Sequence, residues 1–217
     1  MENVYIVSGV RTAIGKSKRG TLANYRPDDM AAICIDEAVT RAGIGADAVQ
    51  DVVLGCAIPE QAQGMNVARI AVFRSSLPDT TNAMTINRFC SSGLEAMAVA
   101  GAKIEAGLLD CAVAGGAESM SLITLPGAKP SFNPTLSVEK PETYIGMGNA
   151  GDNVARKWGF TREQLDQWAL ESNQKAVAAI DLGKFADEIV PLQVPINGTT
   201  VTFDTAEGPR RETTLEG

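Results

Sequence analysis

Short apolar runs alternate with segments of helical periodicity over the first half of the chain. Helices are predicted at residues 27–42, 66–75 and 91–107; Pro27 opens the first, and Gly43 stops it. The runs predicted to be buried strands are residues 4–8, 51–55, 83–87 and 111–114. Such alternation is typical of an α/β fold, in which a parallel sheet is covered by helices on both faces.

The helix predicted at residues 91–107 has an unusual composition. Apart from Glu95, Lys103 and Glu105 it is almost entirely small or apolar. A helix that is apolar nearly all round belongs in the interior of a layered fold. We therefore expect it to be covered on every side.

The pattern changes near residue 121, so we predict an α/β domain at 1–120 and a second, incomplete one at 121–217. Residues 121–145 contain four prolines and predict a long irregular loop. Thr161 and Gln164 form a capping-box pattern that opens a helix, which Gly183 ends. Short strands are predicted at 188–192 and 200–203, with Pro191 placing the first at an edge.

Composition excludes several classes of function. The 217 residues carry a formal charge of −7, which argues against binding nucleic acid or an anionic membrane. No segment reaches the ~18 apolar residues of a membrane span, and the start lacks a basic leader, so we expect a cytoplasmic protein. The four cysteines fit no metal-binding spacing and are expected to be free thiols; there is no histidine.

Two glycine-rich segments resemble nucleotide-binding loops without meeting their requirements. Gly9 and Gly15-Lys16-Ser17 are one residue too far apart for a P-loop, and no helix is predicted to follow. The segment 146–151 matches GxGxxG but follows a proline-rich loop rather than a strand. It is read either as a flexible turn or as backbone that a ligand approaches closely.

Cys90 lies between a predicted strand and the predicted helix at 91–107, which places it in the first turn of that helix. Free N–H groups and the positive end of the helix dipole favour a thiolate there, and the same groups could hold an oxyanion. The alternative is a small buried apolar side chain, which is our reading of Cys34, Cys56 and Cys111. A turnover cycle also needs a proton acceptor, and this chain has no histidine for that role.

Several ordered blocks resemble the thiolase family across essentially the whole chain. They are the opening segment at 4–16, Asn87-Arg88-Phe89-Cys90-Ser91-Ser92-Gly93-Leu94, Gly115-Gly116-Ala117-Glu118-Ser119-Met120-Ser121, Tyr144 with Met147-Gly148, and the segments 153–155 and 185–191. The block at 66–93 looks more like the degradative acyltransferases of fatty acid β-oxidation than the acetoacetyl-forming branch.

The resemblance implies layered α-β-α-β-α architecture, of which this chain supplies the N-terminal βαβαβ half and an inserted loop domain. It implies that Cys90 attacks a 3-oxoacyl-CoA, releases acetyl-CoA and passes its acyl group to CoA, or runs the reverse condensation. Met147 and Gly148 would line the pantetheine channel, and Arg210 would lie near the adenine, or else be a solvated arginine beside Arg211. CoA and acyl-CoA are substrates; no permanent cofactor or metal is implied.

The chain departs from the family in length and in its missing catalytic groups. Family members are about twice as long, and their catalytic histidine and second cysteine lie in the half that this sequence does not match. We therefore expect a split thiolase, in which a second polypeptide supplies those groups in a hetero-oligomer, for example a heterotetramer. The alternatives are a non-catalytic acyl-CoA-binding or scaffold subunit, and a truncated fragment.

Overall fold

A computed structural model describes residues 3–216. The chain divides into two compact units, Met1–Ala128 with Phe185–Gly208, and Lys129–Lys184 with Pro209–Gly217. The domain boundary that the sequence predicts at 120/121 remains a prediction. The chain returns to the first unit after residue 184. In chain order the elements are α1 Pro27–Ala42, β1 Asp51–Gly55, α2 Val67–Arg74, β2 Asn82–Ile86, α3 Ser92–Glu105, β3 Ala112–Gly116, α4 Pro134–Glu139, α5 Met147–Trp158, α6 Arg162–Asp181, β4 Leu192–Ile196 and β5 Thr199–Phe203.

The first unit contains a parallel sheet with strand order β2-β1-β3. Every residue of the central strand β1 is buried. Helices α1 and α2 pack on one face through a cluster that includes Val52 and Leu54, and α3 packs on the other against Val53. The α/β fold predicted from the alternating pattern is confirmed.

Local signals account for the helix ends of this unit. α1 begins at Pro27, and Gly43 ends it with a left-handed φ of 67°, so both predicted boundaries are confirmed. α2 begins after Asn66, whose side chain accepts a hydrogen bond from the Arg69 amide. Among the described residues, no helix is long and apolar enough to cross a bilayer.

The returning segment 185–208 builds a second core with the start of the chain. The antiparallel pair β4–β5 contributes Leu192, Val194 and Phe203, which pack against Ala13 and Leu22. The strand predicted at 188–192 is wrong in position, because only Ile189 makes an isolated bridge, to Arg11, and regular pairing starts at Leu192. Pro191 has no N–H to donate, which explains the break.

Two predicted buried surfaces are uncovered in the first unit. Residues 4–8, predicted to be a strand, have no regular secondary structure and pair with no described strand, and Tyr5, Ile6 and Val7 are each at least 70% exposed. α3 buries Ser92, Ala96 and Ala100 but exposes Leu94 and Met97, so the prediction that it is covered all round is wrong for this chain. β3 is half-buried and pairs with a described strand on one side only. The apolar composition of these segments exceeds what the described residues can bury.

The second unit contains helices α4, α5 and α6. The capping box at Thr161 and Gln164 is present, and α6 follows it as predicted. The interpretation of 146–151 as a turn is wrong, because Gly146 is the N-cap of α5 and Gly148 and Gly151 lie inside that helix. Internal glycines oppose helix formation by about 1 kcal/mol each, which concealed α5 in the sequence. None of the residues of these three helices is buried.

Candidate active site

The carboxyl ends of the three parallel strands meet at one edge of the sheet, and Cys90 lies there. It follows β2 in a short 3₁₀ turn, Phe89–Ser91, that leads into α3. Cys90 therefore lies just before α3, whereas the sequence predicts it in the first turn of that helix. The residue is exposed and its thiol is free.

The turn that carries Cys90 is held by hydrogen bonds rather than by packing. Phe89 has a left-handed φ of 47°, a conformation that costs a non-glycine residue about 1–3 kcal/mol, and 72% of it is exposed. Its amide donates to Oδ1 of Asn87 at 2.8 Å, and its carbonyl accepts from the Ser92 hydroxyl at 2.6 Å. The same Ser92 oxygen accepts from the amide of Arg88 at 2.8 Å. These bonds fix the backbone on both sides of Cys90.

Glycines at the strand ends let the start of α3 lie directly on the sheet. A Cβ on Gly55, the last residue of β1, would be 2.3 Å from the carbonyl carbon of Ser92 and 2.6 Å from the amide nitrogen of Gly93. A Cβ on Gly116, which ends β3, would be 3.1 Å from the Gly55 oxygen. Only glycine permits this approach, which seats the N-terminal end of α3 beside Cys90.

The other three cysteines lie in different surroundings. Burial raises the pKa of Cys34 and of Cys111 above the usual value. Cys56 is 1% exposed, and burial, followed by the charge of Glu118, raises its pKa to about 12. A thiol that stays protonated is a poor nucleophile, so these residues fit the packing role predicted for them.

The residues predicted to contact CoA lie in the second unit, whereas Cys90 lies in the first. Met147 opens α5 and is 78% exposed. Gly148 follows it, and a Cβ there would meet no atom within 4 Å. Arg210 is exposed; its amide donates to Oδ1 of Asn173 at 2.9 Å, and its neighbour Arg211 pairs with Asp181. Their contact with CoA stays a prediction.

Sequence reasoning missed a polar cluster beside this edge. Glu118, which follows β3, accepts hydrogen bonds from the amide of Ala57 and from the fully buried Gln63. Asn87, which follows β2, donates to the carbonyl of Ala57 at 2.9 Å. The available signal was positional, because both polar residues come within two positions of the ends of strands whose carboxyl ends share one edge.

A cleft of about 400 Å³ lies at the opposite end of the sheet. Its lining residues come just before or at the start of the strands and include Gln50, Asn82 and Leu109. The residues of the cleft thus belong to the amino ends of the strands, whereas Cys90 follows a carboxyl end.

Comparisons with known proteins give one consistent result. Residues 4–217 match the model of the thiolase N-terminal domain. The chain is 43% identical to the 3-ketoacyl-CoA thiolase of Bacillus subtilis and 38% identical to an acetyl-CoA acetyltransferase of Pseudomonas aeruginosa, covering 100% of itself and 58% of each relative. It also resembles the crystal structure of the Bacillus anthracis acetyl-CoA acetyltransferase with a TM-score of 0.86 and 35% identity, covering 57% of that chain.

These matches confirm the family that the sequence blocks indicated, together with the layered fold that it implies. The chain spans little more than half the length of the relatives it matches, and the matching model is that of their N-terminal domain. It belongs to the thiolase family, of which it represents the N-terminal half.

Proposed function

We propose that this chain is the nucleophile-bearing part of a CoA-dependent acyltransferase of the 3-oxoacyl-CoA thiolase type. The observation that carries the proposal is the exposed thiol of Cys90, held at the carboxyl edge of the sheet on a turn that polar contacts fix on both sides. The turn belongs to a chain of the thiolase family, and relatives with both thiolase and acetyltransferase names match it over its whole length.

The proposed reaction has two acyl transfers. The Cys90 thiolate attacks the 3-keto carbon of a 3-oxoacyl-CoA, and the C2–C3 bond breaks with its electrons moving to C2. Protonation of C2 releases acetyl-CoA and leaves the shortened acyl group on the sulfur. The thiol of a second CoA then loses its proton, attacks the thioester carbonyl and expels Cys90 as thiolate. In the opposite direction the same steps form the C2–C3 bond.

These proton transfers need groups that the 217 residues do not provide, because the sequence contains no histidine. We infer that a second polypeptide, corresponding to the other half of the relatives, supplies a histidine base and a second cysteine acid. The uncovered apolar surface of the first unit supports this inference, because Ile6, Val7 and Leu94 are each at least 70% exposed. An interface would cover such surface.

The second unit supports the same arrangement. Its helices bury none of their residues, and its exposed large side chains include Val154, Trp158 and Trp168. We propose that Met147 and Gly148 line the pantetheine channel and that Arg210 contacts the adenine end of CoA. A hetero-oligomer, for example a heterotetramer, and a cytoplasmic location in fatty acid degradation complete the proposal.

The test combines recovery of the partner with chemistry at Cys90. The chain would be tagged and purified from its native host, and every protein that accompanies it identified by intact mass and peptide sequencing. The purified assembly would then be mixed with an acyl-CoA and acid-quenched, and its peptides mapped by mass spectrometry. We expect a histidine-bearing companion and an acyl adduct on Cys90 alone.

Other outcomes select the alternatives. A companion without an adduct, when a thiol reagent also fails to label Cys90, would favour a non-catalytic acyl-CoA-binding or scaffold subunit. Recovery of the tag only in a longer polypeptide that contains these residues would identify the sequence as part of a single-chain enzyme. Turnover by the 217 residues alone would contradict the need for outside groups.

A further inference from the structure

We propose that Glu118 and Asn87 are positioning residues for the Cys90 turn, acting through one continuous series of hydrogen bonds. The inference rests on the proposed function, because it concerns the placement of the nucleophile assigned there. It adds two residues to which the acyl-transfer steps themselves give no role.

The series begins at the half-buried carboxylate of Glu118. Oε2 of Glu118 accepts the amide of Ala57 at 2.7 Å, and Oε1 accepts the side-chain amide of Gln63 and faces the Cys56 sulfur at 3.7 Å. Gln63 is itself fully buried, and its oxygen accepts the amide of Ser119 at 2.8 Å. Both oxygens of Glu118 therefore act as acceptors, and its orientation is set by partners on the segment that follows β1.

Asn87 connects the Ala57 backbone, which Glu118 holds, to the turn that carries Cys90. Its Nδ2 donates to the carbonyl of Ala57 at 2.9 Å, and its Oδ1 accepts the amide of Phe89 at 2.8 Å. One short side chain thus connects the loop after β1 with the left-handed residue that precedes Cys90. An aspartate in its place has no N–H to donate, and a glutamine is one methylene longer.

The need for such a restraint follows from Phe89. A non-glycine residue keeps a φ of 47° only when surrounding contacts hold the backbone in that conformation. The exposed Phe89 ring supplies little packing for this purpose. Cys90 is the next residue, so relaxation at Phe89 would move the sulfur and the amides beside it. Displacements of about 1 Å are enough to reduce catalysis roughly a hundredfold.

The test uses Asn87→Ala, Asn87→Asp and Glu118→Gln in the assembled protein. Glutamine at 118 keeps the shape but turns one acceptor into a donor, which must face either Ala57 N–H or the Gln63 amide. Asn66→Ala is the matched control, since Asn66 also bonds a strand carbonyl and a backbone amide, at the start of α2. Thermal unfolding of each variant records the structural cost.

The first measurement is the rate of Cys90 acylation by an acyl-CoA. We expect Asn87 and Glu118 variants to lower the limiting rate about tenfold or more while the half-saturating acyl-CoA concentration stays within about twofold. Alkylation of Cys90 by iodoacetamide, a small reagent that tolerates loose geometry, should change less than about threefold. Asn66→Ala should lower the melting temperature and leave all three quantities unchanged.

The second measurement does not depend on acyl transfer. Hydrogen exchange at the Phe89 amide should accelerate at least about tenfold in Asn87→Ala and in the more distant Glu118→Gln, but not in Asn66→Ala. If wild-type Cys90 takes no acyl group, the proposed function fails, and this exchange still decides the positioning inference. The inference is overturned if Glu118→Gln leaves both Phe89 exchange and Cys90 acylation at wild-type rates.

Discussion

Gly55 and Ser92 are in contact across the sheet–helix boundary, so closely that a Cβ on Gly55 would lie 2.3 Å from the Ser92 carbonyl carbon. The contact joins the last residue of β1 to the first residue of α3, whose hydroxyl also anchors the Cys90 turn. A shift at the end of β1 would therefore also displace the turn that carries Cys90.

Gly55→Ala is expected to push α3 away from the sheet. The obstructing atoms are two backbone atoms and the Cβ of Ser92, none of which can rotate away, so we expect a loss of about 1–3 kcal/mol in the free energy of unfolding and slower acylation of Cys90. Chemical denaturation and acyl-CoA labelling measure the two effects. Gly9→Ala, where no atom lies within 4 Å, should change stability by less than about 0.5 kcal/mol. Equal stability of the two variants would contradict the close contact.

Cys90→Ser should preserve assembly and abolish acyl transfer. The residue is exposed, so its replacement should cost less than about 0.5 kcal/mol, while a hydroxyl is a far weaker nucleophile than a thiolate. Turnover and intact mass after acyl-CoA treatment are the measurements. Cys34→Ala is the control: we expect it to lower stability by about 1 kcal/mol and leave turnover intact. Activity near wild type in Cys90→Ser would remove Cys90 from the mechanism.

The buried Cys56 predicts a loss of stability at alkaline pH. Its pKa is about 12 in the fold against an ordinary value of 9.0, so the unfolded chain releases the thiol proton first. Stability from this group is complete below about pH 9 and falls as the pH rises towards about 12. Urea unfolding of wild type and Cys56→Ser between pH 8 and pH 11 should show a shallower decline for the serine variant, which cannot titrate. Parallel curves would contradict the prediction.

Gly148→Ala separates a helical role from a ligand-binding role. Replacing Gly148, the second residue of α5, should stabilise the fold by up to about 0.5–1 kcal/mol, because alanine favours the helix and no atom lies within 4 Å of the new Cβ. If pantetheine passes over this backbone, KM for the CoA substrate should rise several-fold. Gly151→Ala, in the same helix and equally open, should stabilise without raising KM. Unchanged KM in both variants would exclude Gly148 from the channel.

The uncovered apolar surface predicts that the 217 residues behave poorly alone. We expect aggregation or broad, non-cooperative melting, and a sharp transition when the companion is added. Ile6→Lys should improve solubility of the isolated chain and weaken the complex, which light scattering and calorimetry can measure. A monomer with cooperative melting would count against the need for a companion.

Local patterns predicted most of the first unit. Helices α1 and α2 and strands β1 and β2 were predicted to within two residues, because their apolar periodicity and their caps agree. The capping box likewise identified α6. α5 was missed because glycines at 146, 148 and 151 mimic a turn, and its stability depends on contacts that sequence periodicity does not report.

In the candidate site too, the sequence reports local features and does not report those that depend on tertiary contacts. Cys90 could be proposed from the sequence because its chemistry and its place after a strand are both visible there. The positioning role that we propose for Glu118 and Asn87 could not be, because it depends on the backbone of Ala57, an apolar residue 30 positions before Asn87. The sequence predicts that residues 4–8 and α3 are buried because both segments are apolar. Both present apolar side chains that no other described residue covers.

The salt bridge between Arg11 and Glu188 joins residues 177 positions apart, beside the core that Ala13 and Leu22 form with Leu192 and Phe203. During synthesis this core cannot close until about residue 203 has left the ribosome. At roughly 5–20 residues per second, the early segment waits some ten seconds or more for its partner. Nascent chains of this protein therefore pass through a stage at which the central sheet can already form while the second core is still open. During that interval the apolar residues of the second core are exposed and available to a chaperone.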